Sequence, residues 1–483
     1  MLPRIAAVLL LALAPLGAQE APRQPQATDF TGVELKNRAP VSNEILRVTF
    51  PRPVESRLRN GMELLVLESR RSPTIQVEIA VPASSLNDPE GVPLSAATTA
   101  LMRLGTTTRD ARAIAETLAG LGASVSFTVG DRYAYARFST LTEHLDTVLA
   151  LTRDMLFNPT FPQDELDKWK NQQLNAIQQV RTQPQFLATE RFADAMYPGD
   201  RRSFVAPTPE GVRRLTRAML VEHYTRTFRP EGGRIGVLGD IDTKTITPKL
   251  EALLASWMGA PPRPPQLALP APRAGRLIML VDRPNSVQTA LYVGNHAIDR
   301  RHPDYIPVQV LNRVLGGGPA SRLFRNIREA KGYTYGISSG FSASHYLNHF
   351  AAQTSVRTEV TAEALRELLK EFADIRDRAV PATELDNAKR ALVASFALST
   401  ESPATALQNA MTIKEYGFPA DYWDTYPEKI AAVTATDVQR VARAYVPLEN
   451  IIIVAVGDAP KIRAALAEFG AVEEWNSEGR RLE

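Results

Sequence analysis

The 483-residue chain contains an internal repeat, and this repeat constrains its fold more than any other feature of the sequence. The pattern P-x-x-E-L-D-x-x-K begins at Pro162 and recurs in the second half of the chain, where it begins at Pro381. An apolar run that ends in Gly-Asp at Asp240 recurs with its end at Asp458, at nearly the same offset. Two matches at nearly one spacing indicate two copies of a unit of about 200 residues.

A proline-rich stretch separates the two copies. Residues 259–275 contain six prolines, which can continue neither a helix nor a central strand. We therefore predict an N-terminal domain over 51–258 and a C-terminal domain over 276–472. The stretch 259–275 would be the linker, and 473–483 would be a tail.

The order of predicted elements is the same in both copies. Paired strands come first, from the hairpin dipeptide Asn60-Gly61 in one copy and over 276–296 in the other. A helix follows, at 93–104 and at 304–315, and then two more strands and long helices. This order predicts an α+β fold of two homologous units, each a mainly antiparallel sheet flanked by helices.

The N-terminal segment 1–18 has the pattern of a secretory signal peptide. Arg4 precedes an apolar run from Ile5 to Leu16, and the small residues Gly17 and Ala18 follow. The run is shorter than the ~20 residues that span a bilayer, so cleavage is favoured over the alternative, an uncleaved anchor. Residues 19–50 are predicted to form a flexible arm. The mature chain would then be periplasmic or secreted, without membrane attachment.

Charge and cysteine content exclude several classes of protein. The formal net charge is only +3, with 56 basic and 53 acidic residues, so we expect no nucleic-acid partner. The chain has no cysteine, which excludes disulfides, thiolate metal sites and a lipid-attachment cysteine.

Residues 91–105, GVPLSAATTALMRLG, precede a Thr that with Gly105 forms a Gly-Thr pair. With this segment and its Gly-Thr pair, the chain resembles the pitrilysin and insulinase family of zinc peptidases, which includes the mitochondrial processing peptidase. The resemblance extends from about residue 50 to 470. Catalytic members carry H-x-x-E-H on the corresponding helix. Two histidines one turn apart bind zinc there, and the Glu activates the zinc-bound water.

The resemblance places the motif on residues that cannot perform this chemistry. Counted back from Gly105, the histidine positions fall on Ala96 and Ala100, and the Glu position falls on Thr99. The family's third ligand falls on Ala176. The segment 91–105 contains no His, Asp or Glu, so a shifted alignment restores nothing. We therefore expect this chain to bind no metal and to act with a partner that carries the zinc.

A second family motif is retained in the other copy, in GGGPASRLFRNIREAKGYTYG (316–336). The resemblance implies that Arg328 and Tyr335 act in trans on the partner's site, where they bind the substrate backbone and stabilise the oxyanion. It also places Gly316, Gly317 and Gly318 among the substrate-binding residues. No Lys-Ser/Thr follows these glycines, so a turn between helices is favoured over a phosphate loop.

The residues around this motif predict its local structure. A helix over SRLFRNIREA would start near Pro319 and turn Leu323, Phe324 and Ile327 inward, and Gly332 would cap it. On the strand that follows, Tyr333, Tyr335 and Ile337 would share a face. The alternative is that Arg328 is only a solvated helix residue and Tyr335 a packed aromatic residue.

Two further patterns resemble known kinds of site but are not expected to form them. His345 and His349 have the spacing of a metal pair, but they lie between strand-like segments, where that spacing does not converge. Residues 336–340 match G-x-S-x-G, but the strand is predicted to continue through Phe341, so the sharp turn of a nucleophile elbow is absent.

The sequence thus predicts the non-catalytic subunit of a heterodimeric periplasmic zinc peptidase, inactive alone. Its expected partners are peptide substrates and a similar, zinc-bearing subunit, the two forming a clam-shaped chamber. The alternative is an inert pseudo-peptidase that serves as a scaffold or binds peptides.

Overall fold

The computed structural model describes residues 49–263, 266–268, 270–271, 273–346, 348–446 and 448–482. The predicted signal peptide and all but the end of the predicted arm lie outside the described residues. Phe50, the last residue of that arm, is buried and packs edge-on against Phe396, with ring centroids 5.4 Å apart. The packed chain therefore begins slightly earlier than the sequence predicted.

The described part of the first copy contains six strands and eight α-helices. The strands are β1 (Val54–Arg57), β2 (Glu63–Glu68), β3 (Thr74–Val81), β4 (Ser124–Val129), β5 (Ala134–Leu141) and β6 (Arg234–Gly239). The helices are α1 (Leu94–Leu101), α2 (Ala111–Gly120), α3 (Leu145–Phe157), α4 (Gln163–Val180), α5 (Pro184–Met196), α6 (Pro209–Arg214), α7 (Arg217–Thr227) and α8 (Thr243–Leu254).

The described part of the second copy contains six strands, seven α-helices and one π-helix, Phe324–Ala330. The strands are β7 (Leu277–Asp282), β8 (Gln288–His296), β9 (Thr334–Ala343), β10 (Asn348–Arg357), β11 (Ile452–Gly457) and β12 (Val472–Trp475). The α-helices are α9 (Tyr305–Leu315), α10 (Thr361–Asp377), α11 (Ala382–Ser399), α12 (Pro403–Tyr416), α13 (Tyr426–Ala432), α14 (Ala435–Tyr445) and α15 (Ala459–Ala467).

Each copy forms one six-stranded mixed sheet, which agrees with the predicted fold class. The strand orders are β1-β2-β6-β3-β5-β4 and β12-β7-β11-β8-β10-β9. Apart from the outermost strands β1 and β12, the two orders correspond strand for strand. Most neighbours are antiparallel, while β2 pairs parallel with β6 and β7 pairs parallel with β11. The two Gly-Asp runs of the repeat are β6 and β11, in which every residue is buried.

The tail predicted over 473–483 is partly structured. Strand β12 takes in residues 472–475 and pairs parallel with β7. Arg463 forms an ion pair with Glu474 of this strand, and the guanidinium of Arg191 lies over the Trp475 ring. The C-terminal segment therefore completes the second sheet, which the short and mixed pattern VEEW did not predict.

The two copies exchange one helix each. Helix α5 of the first copy packs on β8 and β11 of the second sheet, and α12 of the second copy packs on β2 and β6 of the first. Both helices begin with proline at their first position, Pro184 and Pro403, at the same spacing as the two P-x-x-E-L-D-x-x-K strings. The exchange covers part of the second face of each sheet, and all the described residues belong to one compact unit.

No helix within the described ranges is long and apolar enough to cross a membrane.

Candidate functional site

The motif positions of helix α1 carry no group that could bind a metal. Ala96 and Ala100 are partly exposed, and Thr99 is buried. The hydroxyl of Thr99 lies 3.0 Å from the backbone oxygens of Ser95 and Ala96, so it donates within its own helix. Ala176 is exposed on α4, which packs against α1. Three methyl groups and an engaged hydroxyl do not fit zinc, and the described residues contain no cluster of His, Cys, Asp or Glu that could hold a metal ion.

A buried polar cluster fixes the start of α1 instead. Asp88 accepts hydrogen bonds from the backbone N–H of Ser95, at 2.9 Å, and from the Ser95 hydroxyl. The Nε2 atom of His223, on α7, lies 3.2 Å from the Ser95 oxygen. Burial raises the pKa of Asp88 to about 6 and lowers the pKa of His223 to about 4. No local sequence pattern indicates this cluster, since Asp88 and His223 lie far apart along the chain.

This cluster does not have the geometry of a nucleophilic triad. In such a triad the histidine lies between the serine and the acid and takes the serine proton. Here Ser95 lies between Asp88 and His223, and only 1% of the Ser95 surface is exposed. The three side chains therefore anchor the N-terminus of α1 rather than attack a substrate.

The helix predicted for SRLFRNIREA is present, but it is π-helical over Phe324–Ala330. The N–H of Lys331 donates to the oxygen of Asn326, at 3.0 Å, as the wide π-turn requires. As predicted, Leu323 and Ile327 are fully buried. The amide of Asn326 holds the wide turn against α10 through hydrogen bonds to Glu367 and Glu371 of 3.0 and 2.8 Å. π-Helical turns are rare and are often found at functional sites.

Arg328 projects from this π-helix toward the following strand. Its guanidinium carbon lies 4.4 Å from the centre of the Phe324 ring and 5.4 Å from the centre of the Tyr335 ring. The guanidinium has no hydrogen bond or ion pair within the described part of the chain. Aromatic stacking thus restrains the side chain and leaves its N–H donors free for a ligand.

Tyr335 lies on β9, at the edge of the second sheet, and is 91% exposed. The alternative interpretation, a packed strand aromatic, is therefore wrong. The prediction that Tyr335 shares a face with Ile337 is also wrong, since Ile337 is only 5% exposed. A β-bulge explains the difference: Thr334 pairs with Val356 and Ile337 with Thr354, so two residues of β9 oppose one of β10.

The structure brings together Arg328 and Tyr335, the two residues that the family resemblance singled out, although they lie on different elements. Gly332, with a φ of +61°, turns the chain between the π-helix and β9 in the left-handed conformation expected of this residue. The N–H of Gly332 donates to the backbone oxygen of Arg328 at 3.1 Å. The result is a guanidinium and phenol pair at the surface, partly buried at Arg328 and exposed at Tyr335, with no protein hydrogen-bond partner for either side chain among the described residues.

The glycines of 316–318 form the turn after α9, and Gly316 packs against β9. The oxygen of Gly316 accepts a hydrogen bond from the N–H of Ser339 at 3.1 Å. A Cβ atom at Gly316 would lie 2.3 Å from the Ser339 hydroxyl oxygen, so only glycine allows this approach. The oxygen of Gly317 accepts from Arg313 at 2.7 Å. These contacts match the turn that the sequence favoured, and substrate binding by the glycines stays a prediction.

The two histidines with metal-like spacing have separate surroundings. His345 stacks on Tyr416 with ring centroids 4.3 Å apart, and its Nε2 atom lies 2.7 Å from a nitrogen of Arg132. His349 packs edge-on against Phe192 at 5.5 Å. The G-x-S-x-G string lies wholly within β9, which runs to Ala343, so the predicted absence of a nucleophile elbow is confirmed.

Two family models match the chain. The model described as insulinase (peptidase family M16) matches residues 64–204, and the model described as peptidase M16 inactive domain matches residues 214–392. Together they match about two thirds of the chain. The boundary between them falls within the first copy, between α5 and α7.

Relatives and solved structures point the same way. An uncharacterized zinc protease of Bacillus subtilis is 25% identical over 302 residues, which covers 62% of this chain and 72% of the relative. One of Streptomyces coelicolor is 25% identical over 353 residues, 71% of this chain and 76% of the relative. The crystal structure of a peptidase M16 inactive domain from Pseudomonas fluorescens superposes with a TM-score of 0.77 at 25% identity and covers 84% of this chain and 98% of that one. A protease from Helicobacter pylori shares the fold, with a TM-score of 0.74 at 16% identity over 85% of this chain and 100% of that one.

Proposed function

The chain belongs to the insulinase (M16) family of peptidases, and on this premise we propose that it is the non-catalytic subunit of a heterodimeric zinc peptidase. The observation that carries the proposal is an asymmetry between its two copies. The motif positions of α1 hold Ala96, Thr99 and Ala100, which cannot bind zinc. In contrast, the exposed Tyr335 and the partly buried Arg328 have no side-chain hydrogen-bond partner in the described part of the chain. A chain of this kind can assist peptide hydrolysis but cannot start it.

The chemistry of the exposed pair suits one part of the reaction. Attack of water on a peptide carbonyl creates an oxyanion, which preorganised hydrogen-bond donors stabilise. The phenol of Tyr335 can donate one hydrogen bond to it, and the guanidinium of Arg328 can donate several to the neighbouring peptide carbonyls. The partner's zinc would supply the activated water. We place the assembly in the periplasm or outside the cell, on the basis of the N-terminal sequence pattern.

The partner is tested by purification of the tagged mature chain from its native extract. We expect a similar subunit of about the same size, with an H-x-x-E-H helix, to co-purify with cleavage of a quenched fluorescent peptide that a chelator abolishes. Recovery of this chain alone, inert toward peptides, would instead favour the scaffold or peptide-binding function. The absence of zinc ligands from α1 is equally compatible with that second function.

The roles of Arg328 and Tyr335 are tested in the reconstituted pair. Tyr335→Phe removes the donor to the oxyanion, so we expect kcat to fall by about 10²-fold with little change in KM. Arg328→Gln should raise KM and lower kcat, since it contacts substrate before and during attack. The measurement is steady-state cleavage of the same peptide with each variant.

Matched controls are available on the same copy. Tyr416→Phe removes the hydroxyl from a partly buried ring that stacks on His345, and Arg390→Gln removes an exposed guanidinium on α11. Neither change should alter kcat or KM. If Tyr335→Phe behaves like Tyr416→Phe, the proposed role of Tyr335 is wrong.

A further inference from the structure

The orientation of Tyr335 depends on the β-bulge in strand β9. Tyr335 and Gly336 together oppose Ser355 of β10. Side chains alternate between the faces of a regular strand, so without the extra residue Tyr335 would lie on the buried face with Ile337. The bulge therefore decides whether the phenol is available to a ligand.

Two threonine hydroxyls satisfy the backbone groups that the bulge removes from the regular ladder. The hydroxyl of Thr334 donates to the oxygen of Ser355 at 2.6 Å and accepts from the N–H of Gly336 at 3.1 Å. The hydroxyl of Thr354, which is 7% exposed, lies 2.9 Å from both the Thr334 hydroxyl and the oxygen of Gly336. The threonine hydroxyls thus bond to the backbone groups of Ser355 and Gly336 at the bulge, and they also contact each other.

A third contact ties the bulge to the π-helix that carries Arg328. The guanidinium of Arg357, on β10, donates to the oxygen of Gly332 at 2.8 Å. Gly332 in turn bonds to the backbone of Arg328, and the N–H of Tyr333 donates to the oxygen of Ile327 at 3.0 Å. Strand β10 therefore holds both ends of the segment that joins Arg328 to Tyr335.

We propose that Thr334 and Thr354 are positioning residues, which lock the bulge and so aim the Tyr335 phenol outward beside the Arg328 guanidinium. The proposal rests on the proposed function for its catalytic consequence, but the orientation of Tyr335 can be measured without a partner. Neither threonine needs to touch the substrate. Their effect on hydrolysis passes entirely through Tyr335.

The decisive variant is Thr354→Val, which keeps the shape of the side chain and removes its hydroxyl. The matched variant Thr354→Ser keeps the hydroxyl, and Thr334→Val tests the other half of the pair. Thr227→Val serves as the control, because it removes a buried hydroxyl that bonds to the His223 oxygen at 2.7 Å in the first copy. Thermal unfolding shows which variants are folded.

Two measurements test the positioning role of the threonines separately from the proposed peptidase function. In the isolated chain, fluorotyrosine introduced at position 335 reports the surroundings of that ring by ¹⁹F NMR. In the reconstituted pair, steady-state kinetics report kcat and KM. We expect Thr354→Val and Thr334→Val to shift the fluorine resonance and to lower kcat about tenfold or more with unchanged KM. Thr354→Ser should restore both, and Thr227→Val should change neither.

An unchanged fluorine resonance in both valine variants would overturn the proposal, whatever the kinetics show. A shifted resonance with kcat unchanged, while Tyr335→Phe lowers kcat, would show that the hydroxyls do not act on hydrolysis and would overturn it as well. A shifted resonance together with a Tyr335→Phe variant whose kcat is unchanged would support the positioning by the threonines and contradict the proposed function alone.

Discussion

His349 is partly buried where α5 of the first copy packs on the second sheet, and this burial lowers its pKa. Its ring lies on β10 against Phe192 of α5, and its Nδ1 atom is buried without a hydrogen-bond partner in the described part of the chain. Burial, with a smaller contribution from His296 on the neighbouring strand, lowers the pKa of His349 to about 4. The neutral imidazole is therefore favoured in the folded state.

This pKa predicts a specific acid sensitivity. The pKa of His349 in the folded chain lies below the ordinary value of 6.5, so the unfolded chain binds a proton at this residue more readily. The contribution of the neutral His349 to the free energy of unfolding is therefore complete above pH 6.5 and is lost as the pH falls toward 4. The difference corresponds to about 3 kcal/mol for this residue. We expect the free energy of unfolding of the native chain to fall by up to that amount more than that of His349→Phe between pH 7 and pH 4. Urea unfolding at several pH values measures it, and parallel pH profiles would contradict it.

Among the secondary-structure elements, the turn after α9 supports the strand that carries Tyr335. Strand β9 is the outer strand of its sheet, and the Gly316 oxygen pairs with the N–H of Ser339 on its free edge. The Ser339 hydroxyl donates to the side-chain oxygen of Asn312 on α9 at 2.8 Å. The triple glycine is thus part of the support of β9, the strand that carries Tyr335.

Gly316→Ala tests this support. The new Cβ atom would lie 2.3 Å from the Ser339 hydroxyl and 2.6 Å from its nitrogen, so the turn must move away from β9. We expect a loss of about 1–3 kcal/mol in the free energy of unfolding. Gly340→Ala is the matched control, because no atom lies within 4 Å of a Cβ there. Chemical denaturation measures the free energy of unfolding of both variants. An equal decrease in both would show that steric contact at Gly316 does not cause the destabilisation.

Across the molecule as a whole, the exchange of α5 and α12 makes the two copies interdependent. One cluster of buried apolar residues joins α5 to the strands of the second sheet. Another joins α12 to strands of the first sheet and to Phe50. Their buried members are Leu187, Ala188, Phe192, Met196, Tyr197, Met279, Val281, Ala290, Ala351, Ile452, Val454 and Val456 in one, and Phe50, Leu65, Leu67, Ala80, Tyr133, Leu238, Phe396, Ala406, Leu407 and Met411 in the other.

We therefore expect the copies not to fold separately when the chain is divided within 259–275. Each fragment alone would expose the sheet face that the other fragment's helix covers, and it should aggregate or bind hydrophobic dyes. Expressed together, the fragments should form a 1:1 complex by size-exclusion chromatography. The intact chain should unfold in a single calorimetric transition. Two soluble, independently unfolding fragments would contradict this.

The predictability of the site differed from residue to residue. Arg328 was singled out by the family resemblance. The cap at Gly332 and the burial of Leu323 and Ile327 followed from local patterns, since each depends on neighbours within a few positions. The outward orientation of Tyr335 did not, because the bulge depends on Thr354, which lies on another strand. The Asp88, Ser95 and His223 cluster escaped prediction for the same reason.

Sequence patterns alone were enough to predict the duplication and the α+β class and to show that 91–105 contains no His, Asp or Glu. The family resemblance singled out Arg328 and Tyr335. The duplication and the fold class are encoded in spacing, periodicity and residue type, which need no knowledge of distant contacts. The three-dimensional fold was needed to show that α5 and α12 are exchanged, that β12 completes the second sheet and that a bulge exposes Tyr335. Each of these depends on which surfaces meet in space, because both faces of a sheet can be buried by helices from either copy.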